Sequence, residues 1–154
     1  MTTNQVTFRE ATIQDLDRIV YMLSDDTLGN KRELYTQPLP ESYTKAFNAI
    51  NSDPNIELIV ACYDEEIVGV QQITFTPFIT HQGGWRASIE GVRTASLERG
   101  KGIGTLLIKW AIQRSKERGC HMVQLTTDKK RPKAFHFYEK LGFIASHEGL
   151  KLHL

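Results

Sequence analysis

The sequence predicts one domain built on a mixed α/β sheet with helices on both faces. Three observations predict it. Strand-like and helix-like runs alternate along the chain in the order strand, two helices, three strands, helix, strand, helix, strand, a pattern that calls for a sheet covered by helices. The 154 residues suit a single hydrophobic core. No repeat, low-complexity stretch or interdomain linker interrupts them.

Val6 to Ala11 reads as a short first strand. Thr12 then caps a helix whose apolar residues Ile13, Leu16, Ile19, Val20 and Leu23 fall on one face, with Asp15 in its first turn. Gly29 to Pro40 is polar and broken by Pro38 and Pro40, so it reads as a loop. Glu41 to Ile50 reads as a second helix. Ile56–Tyr63 and Ile67–Phe75 read as a hairpin turning at Asp64-Glu65, and Pro77 to Gly84 as the loop to a third strand, Trp85–Thr94. Gly102–Arg118 carries an apolar stripe and ends at Gly119, a helix with a glycine C-cap. Met122–Thr126 reads as a buried strand, and Pro132–Leu141 as a helix with proline in its first turn. Phe143–Ser146 and Leu150–Leu154 read as short terminal strands.

Composition narrows the function. Hydrophobic residues make up 40% and charged residues 24%, ordinary for a globular protein. A net charge of +1 gives no reason to expect nucleic acid or an anionic membrane as partner. The first residues lack a basic-then-apolar signal, and no apolar run approaches the ~20 residues that span a bilayer, so a cytoplasmic location is expected. Cys62 and Cys120 are too few for a disulfide framework and read as free thiols. His81, His121, His136, His147 and His153 form neither H-x-x-x-H nor H-E-x-x-H, so no metal site is expected.

The chemistry concentrates in Arg99-Gly100-Lys101-Gly102-Ile103-Gly104, between a strand and an amphipathic helix. Alternating glycines remove the side chains that would hold a ligand off the backbone, and the helix N-terminus presents unpaired N–H groups there. Arg99 and Lys101 add positive charge. The combination points to a phosphate or pyrophosphate site. It matches neither G-x-x-x-x-G-K-[ST] nor G-x-G-x-x-G, and a dinucleotide-binding loop belongs after the first strand, not two thirds along the chain.

Arg99 to Gly104 fits R/Q-x-x-G-x-G/A, and Ala134 to Phe143, A-F-H-F-Y-E-K-L-G-F, fits A-x-x-F-Y-x-x-x-G-F. With both motifs in this order and separation, the chain resembles the GNAT superfamily of acyl-CoA-dependent N-acetyltransferases over its whole length. The resemblance implies a mostly antiparallel sheet with a splayed strand pair. It implies acetyl-CoA as acyl donor, its pantetheine along Val92, Arg93 and Thr94 and its pyrophosphate on Arg99, Gly100, Lys101, Gly102, Ile103, Gly104 and Thr105. It implies Tyr138 as the acid that protonates departing thiolate and Glu90 as the base that deprotonates the incoming ammonium; Glu90 reads equally as a strand carboxylate paired with Arg86 or Arg93. Arg131 stands where many members have a cofactor-contacting asparagine, and reads either as a phosphate ligand or as an exposed residue. His81 lies in the loop where substrate often enters in this family.

The expected acceptor is an amine of a small molecule or a peptide, shaped by Gly29 to Tyr43, Phe78 to Trp85 and the C-terminal strands. Arg32, Trp85 and Arg86 hint at an anionic or planar group on it. A homodimer is compatible with the pattern. The alternative is a non-catalytic acetyl-CoA-binding regulator on the same fold, which the presence of Tyr138 and Glu90 argues against.

Overall fold

The computed structural model describes residues 5–154; the first four residues, read above for a signal sequence, lie outside them. The chain divides into two compact units, Met1–Gln124 and Leu125–Leu154.

The first unit is a five-stranded sheet in the order β1-β2-β3-β4-β5. Its strands are β1 (Thr7–Glu10), β2 (Ile56–Tyr63), β3 (Glu66–Pro77), β4 (Trp85–Thr94) and β5 (Cys120–Leu125). The first four pair antiparallel. β5 follows a helical crossover; His121 lies against Gly84, and Gln124 Nε2 donates to Ser88 Oγ at 3.1 Å. That order of contacts makes β5 parallel to β4. The sheet is therefore mixed and mostly antiparallel, as the resemblance implied.

Helices cover both faces. On one face α1 (Leu16–Ser24) and α3 (Glu41–Ser52) bury Leu16, Ile19, Val20, Met22 and Phe47 against Val60, Cys62, Ile67 and Val70. On the other, α5 (Ile103–Glu117) sets Ile103 and Leu107 against Ala61 and Val68. Gly69 permits that approach: a Cβ there would lie 2.9 Å from Leu107 Cδ1. Glu57, 6% exposed, is held bidentate by Arg114 of α5 at 2.6 to 3.1 Å.

Local chemistry sets the element ends. Asp15 accepts from the Thr12 N–H at 2.8 Å and from Arg9 Nη1 at 2.6 Å, so the first helix opens with a 3₁₀ turn, Ile13–Asp15. The Arg9 hydrogen bond, with that N–H, holds the Asp15 carboxyl below its ordinary pKa despite burial. The Asp64-Glu65 turn has φ of 46° and 67°, left-handed at both residues as a two-residue hairpin requires. Gly119 ends α5 at φ 73°. Burial pushes the Cys62 and Cys120 thiols up, and both are free.

Three expectations fail, the first being the loop read over Pro77 to Gly84, which holds the short segment α4 (Thr80–Gly83). The loop read over Gly29 to Pro40 contains a short helix, α2 (Gly29–Arg32), because Asp26 caps it: Asp26 Oδ1 accepts from the Gly29 N–H, and its carbonyl accepts from Asn30. The terminal strands read at Phe143–Ser146 and Leu150–Leu154 are not strands. Alternating apolar residues specify a strand only where a neighbouring ladder takes up the backbone groups.

The second unit holds α6 (Pro132–Lys140), with proline in its first turn, and the irregular segments on either side of it. Among the described residues no helix is long and apolar enough to cross a membrane.

Candidate active site

β4 carries four of the expected residues, Glu90, Val92, Arg93 and Thr94. Its register on β3 pairs Gln72 with Glu90 and Val70 with Arg93, so Gln71 alone faces both Gly91 and Val92. This is a β-bulge, and Gly91 supplies its left-handed residue at φ 61°. The extra residue re-aims the strand. Val92 packs with the α5 cluster, while Arg93 points to the other face, its Nη1 3.0 Å from Asp26 Oδ2. β5 ends one residue beyond Gln124, which is level with Ser88, so β4 runs on past it from Glu90 to Thr94. That free-running half is the segment implied to hold pantetheine.

β4 leads through a 3₁₀ turn, Ser96–Glu98, into the glycine loop. Gly100 and Gly102 have φ of 78° and 86°, a region that L side chains enter at a cost of about 1–2 kcal/mol. Gly102 is the N-cap of α5, and Leu106 is the first residue bonded back to it, N–H to Gly102 carbonyl at 3.1 Å. The amides of Ile103, Gly104 and Thr105 thus precede the helix ladder and stay available at the positive end of the helix dipole. The two loop cations have protein partners: Arg99 Nη2 donates to the Asp25 carbonyl at 2.8 Å, and Lys101 pairs with Glu98 at 2.9 Å. An anion here is met first by backbone.

Glu90 is exposed. Neither arginine weighed as its partner takes it, since Arg93 pairs with Asp26 and Arg86 turns to His81. Tyr138 and Arg131 belong to the second unit. Tyr138 lies on α6 with its ring edge-on to Phe143 at 5.8 Å and to Phe137 at 5.1 Å; Arg131 is the N-cap of α6. His136 is exposed beside Glu139 at 3.2 Å.

The register also reveals residues that sequence reading passed over: Gln72, Thr74, Thr76 and Ser88. Gln72/Glu90, Thr74/Ser88 and Thr76/Arg86 are opposite pairs, and they alternate with buried Ile73, Phe75, Ala87 and Ile89. They form a polar stripe on the face shared with α1 and α3, extended by Gln124 through Ser88. At its far end is α4 (Thr80–Gly83), where His81 and Gln82 are left-handed at φ 53° and 59°. They sit in a turn closed by the Gly83 N–H on the Ile79 carbonyl at 3.2 Å, inside the loop that the Phe78 N–H closes on the Gly84 carbonyl at 3.0 Å.

A model of the acetyltransferase (GNAT) family matches residues 20–143. The aminoalkylphosphonate N-acetyltransferase of Salmonella typhimurium is 30% identical over 139 residues, 90% of this chain and 85% of that protein. The glucosamine 6-phosphate N-acetyltransferase of Trypanosoma brucei brucei is 35% identical over 88 residues, 57% of this chain and 58% of that one. A crystal structure described as a transcriptional regulator from Bacillus halodurans is 65% identical, covers 97% of this chain and 99% of its own, and superposes with a TM-score of 0.95.

Proposed function

The chain belongs to the GNAT acetyltransferase family, and on that premise we propose that it transfers the acetyl group of acetyl-CoA to the primary amine of a small molecule. The observation that carries the reading is the bulged strand β4 leading into two left-handed glycines that open α5. Relatives named for aminoalkylphosphonate and glucosamine 6-phosphate support a small-molecule acceptor over a peptide. The family match runs across the division at residue 124, which supports one catalytic domain.

In this reading pantetheine lies along Val92 to Thr94, and the pyrophosphate sits on the amides of Arg99 to Thr105. Glu90 takes a proton from the ammonium, directly or through water, and the freed nitrogen pair attacks the thioester carbon. The C–S bond then breaks, the acylated nitrogen loses its second proton to solvent to give the neutral amide, and Tyr138 gives the thiolate its proton and regains one from solvent. Arg131 contacts a cofactor phosphate. The chemistry needs no metal.

Two measurements test this. Acetyl-CoA at a hundredfold excess over its Kd stabilises the fold by roughly 2.7 kcal/mol, seen as a rise in melting temperature that NAD and ATP do not produce. Tyr138→Phe lowers kcat by roughly 10²- to 10⁴-fold with acetyl-CoA affinity nearly kept. No melting shift at millimolar acetyl-CoA overturns the donor assignment, and full activity in the variant removes the acid.

The Bacillus halodurans structure favours a second reading, a non-catalytic acetyl-CoA-binding regulator. It requires acetyl-CoA binding with no thiol release across an amine panel. If it acts on DNA, a salt-dependent titration reveals it.

A further inference from the structure

The end of the polar stripe remote from the glycine loop holds a side-chain cluster that nothing in the transfer chemistry uses. Arg86 projects from β4 over the Phe78 ring at 4.4 Å. Its Nη2 lies 2.9 Å from His81 Nδ1 and 3.4 Å from Thr80 Oγ1. A guanidinium only donates, so His81 Nδ1 accepts and the imidazole proton sits on Nε2. His81 stacks on His121 of β5 at 5.1 Å. Gly84 makes room for that stack, because a Cβ there would lie 2.5 Å from His121 Cδ2.

Among the described residues no carboxylate bonds to Arg86. Arg9, Arg93 and Arg114 each hold a carboxylate, and Arg18 and Arg99 each hold a backbone carbonyl. Arg86 has a hydroxyl and an imidazole instead, and its Nε is buried without a hydrogen-bond partner among the described residues. A buried charged donor without an acceptor is costly unless a ligand supplies one. The left-handed backbone of His81 and Gln82 holds the imidazole in place, and backbone strain of this kind collects where ligands are gripped.

We propose that Arg86, Thr80, His81 and His121 bind a phosphoryl group, phosphate ester or phosphonate, carried by the acceptor amine. The inference rests on the acetyltransfer reading above and adds the acceptor's second recognition point. Arg86, Ser88 and Glu90 share one strand face, so four residues at ~3.3 Å separate anion site from base by ~13 Å along β4. The guanidinium turns over Phe78 and onto His81, away from Glu90, so the amine reaches Glu90 through water. The acceptor therefore lies along the stripe, its amine toward Glu90 and its phosphoryl group at Arg86, with the Ser88, Thr74 and Gln72 side chains beneath.

Two probes test it. Inorganic phosphate, titrated into the full chain, shifts the imidazole NMR signals of His81 and His121 together, and R86A loses that response while still showing the acetyl-CoA melting shift. Glucosamine 6-phosphate and glucosamine then form a pair differing by one phosphoryl group. Wild type prefers the phosphorylated sugar in kcat/KM by roughly 10- to 100-fold, mostly through KM. R86A lowers the phosphorylated rate at least ten times more than the neutral one, and H81A does so to a smaller degree. An unresponsive pair of histidines overturns the anion site. No gain for the phosphorylated sugar, whether both sugars react or neither does, overturns its place in the acceptor site. A missing acetyl-CoA shift with phosphate still bound instead removes the acetyltransferase reading and leaves the anion site standing.

Discussion

The two ends of β4 both use left-handed backbone, in opposite ways. At its C-terminal end the positive φ angles belong to Gly91, Gly100 and Gly102, and no side chain is asked to take them. A ligand there meets amides, and the nearby arginines are spent on Asp25 and Asp26. At the other end the positive φ angles belong to His81, Gln82 and Gly83, and the first two carry side chains into that conformation. There the ligand-facing chemistry is guanidinium, imidazole and hydroxyl. A cofactor shared by many proteins is suited by backbone recognition that tolerates sequence change. An acceptor particular to one protein is suited by side chains.

The strongest way to break this comparison is to put a side chain where backbone is meant to bind. Gly102→Val forces a β-branched residue to φ 86° and covers the α5 amides. Acetyl-CoA binding, followed by calorimetry or melting shift, falls by about 100-fold or more, equal to ~2.7 kcal/mol, while the phosphate response of His81 and His121 is kept. Unchanged acetyl-CoA affinity would mean that the glycine run is only a turn.

The middle of β4 is tested by pH. Glu90→Gln lowers kcat/KM by roughly 10- to 100-fold near neutrality, where the amine arrives protonated. The loss narrows at high pH, because the free amine then needs no base. Tyr138→Phe shows no such rescue, since its defect lies at the leaving group. Parallel pH profiles for wild type and Glu90→Gln would take Glu90 out of the mechanism.

A smaller effect is expected at the N-terminal end from Gly84→Ala. Gly84 has φ of −71°, so alanine is allowed by the backbone. Its Cβ, however, would meet His121 at 2.5 Å from Cδ2 and 2.8 Å from Nε2. The imidazole moves off His81, and kcat/KM for glucosamine 6-phosphate falls by roughly three- to tenfold, with acetyl-CoA affinity unchanged. An equal loss with glucosamine would show that the stack shapes the strand rather than the anion site.

The same contrast governs what the sequence revealed. Glycines at alternate positions before an amphipathic run are a local signal, so the donor loop, α5 and its Gly119 cap were legible. So were the Asp64-Glu65 turn and the strands bounded by it. The polar stripe was written as Q-I-T-F-T in β3 and R-A-S-I-E in β4, but only the antiparallel register sets Gln72 opposite Glu90 and Thr76 opposite Arg86. His81 and His121 are 40 residues apart in the numbering, and no spacing rule joins them. The short helix at Gly29 was hidden because its cap, Asp26, lies three residues ahead in a stretch of breakers. The C-terminal alternation misled for the converse reason: Leu150, Leu152 and Leu154 have the right period, but strands are made by neighbours.

The smallest expected effect tests what holds the donor end in place. Asp25 and Asp26, at the C-terminal end of α1, hold Arg99 and Arg93, so α1 anchors the donor end of β4 and not the Arg86 end. The entry to α1 is fixed by Asp15, which accepts from Arg9 and Thr12. Those bonds lower its pKa in the folded state below the ordinary 3.8. The folded carboxylate therefore binds its proton less readily than the unfolded one. Its stabilisation is fully present above that ordinary value and is lost as pH falls through the folded value. Asp15→Asn keeps an acceptor but removes the charge, and lowers unfolding free energy by about 1–2 kcal/mol at pH 7. In urea titrations the gap from wild type closes below about pH 4, because protonated Asp15 then resembles the asparagine. At neutral pH the loosened α1 weakens acetyl-CoA binding slightly, and the phosphate response at His81 stays as it was. A stability gap that persists unchanged to pH 3 would mean that the Arg9–Asp15 charge pair contributes nothing. A variant that disturbs His81 before acetyl-CoA would mean that the two ends of β4 share one support.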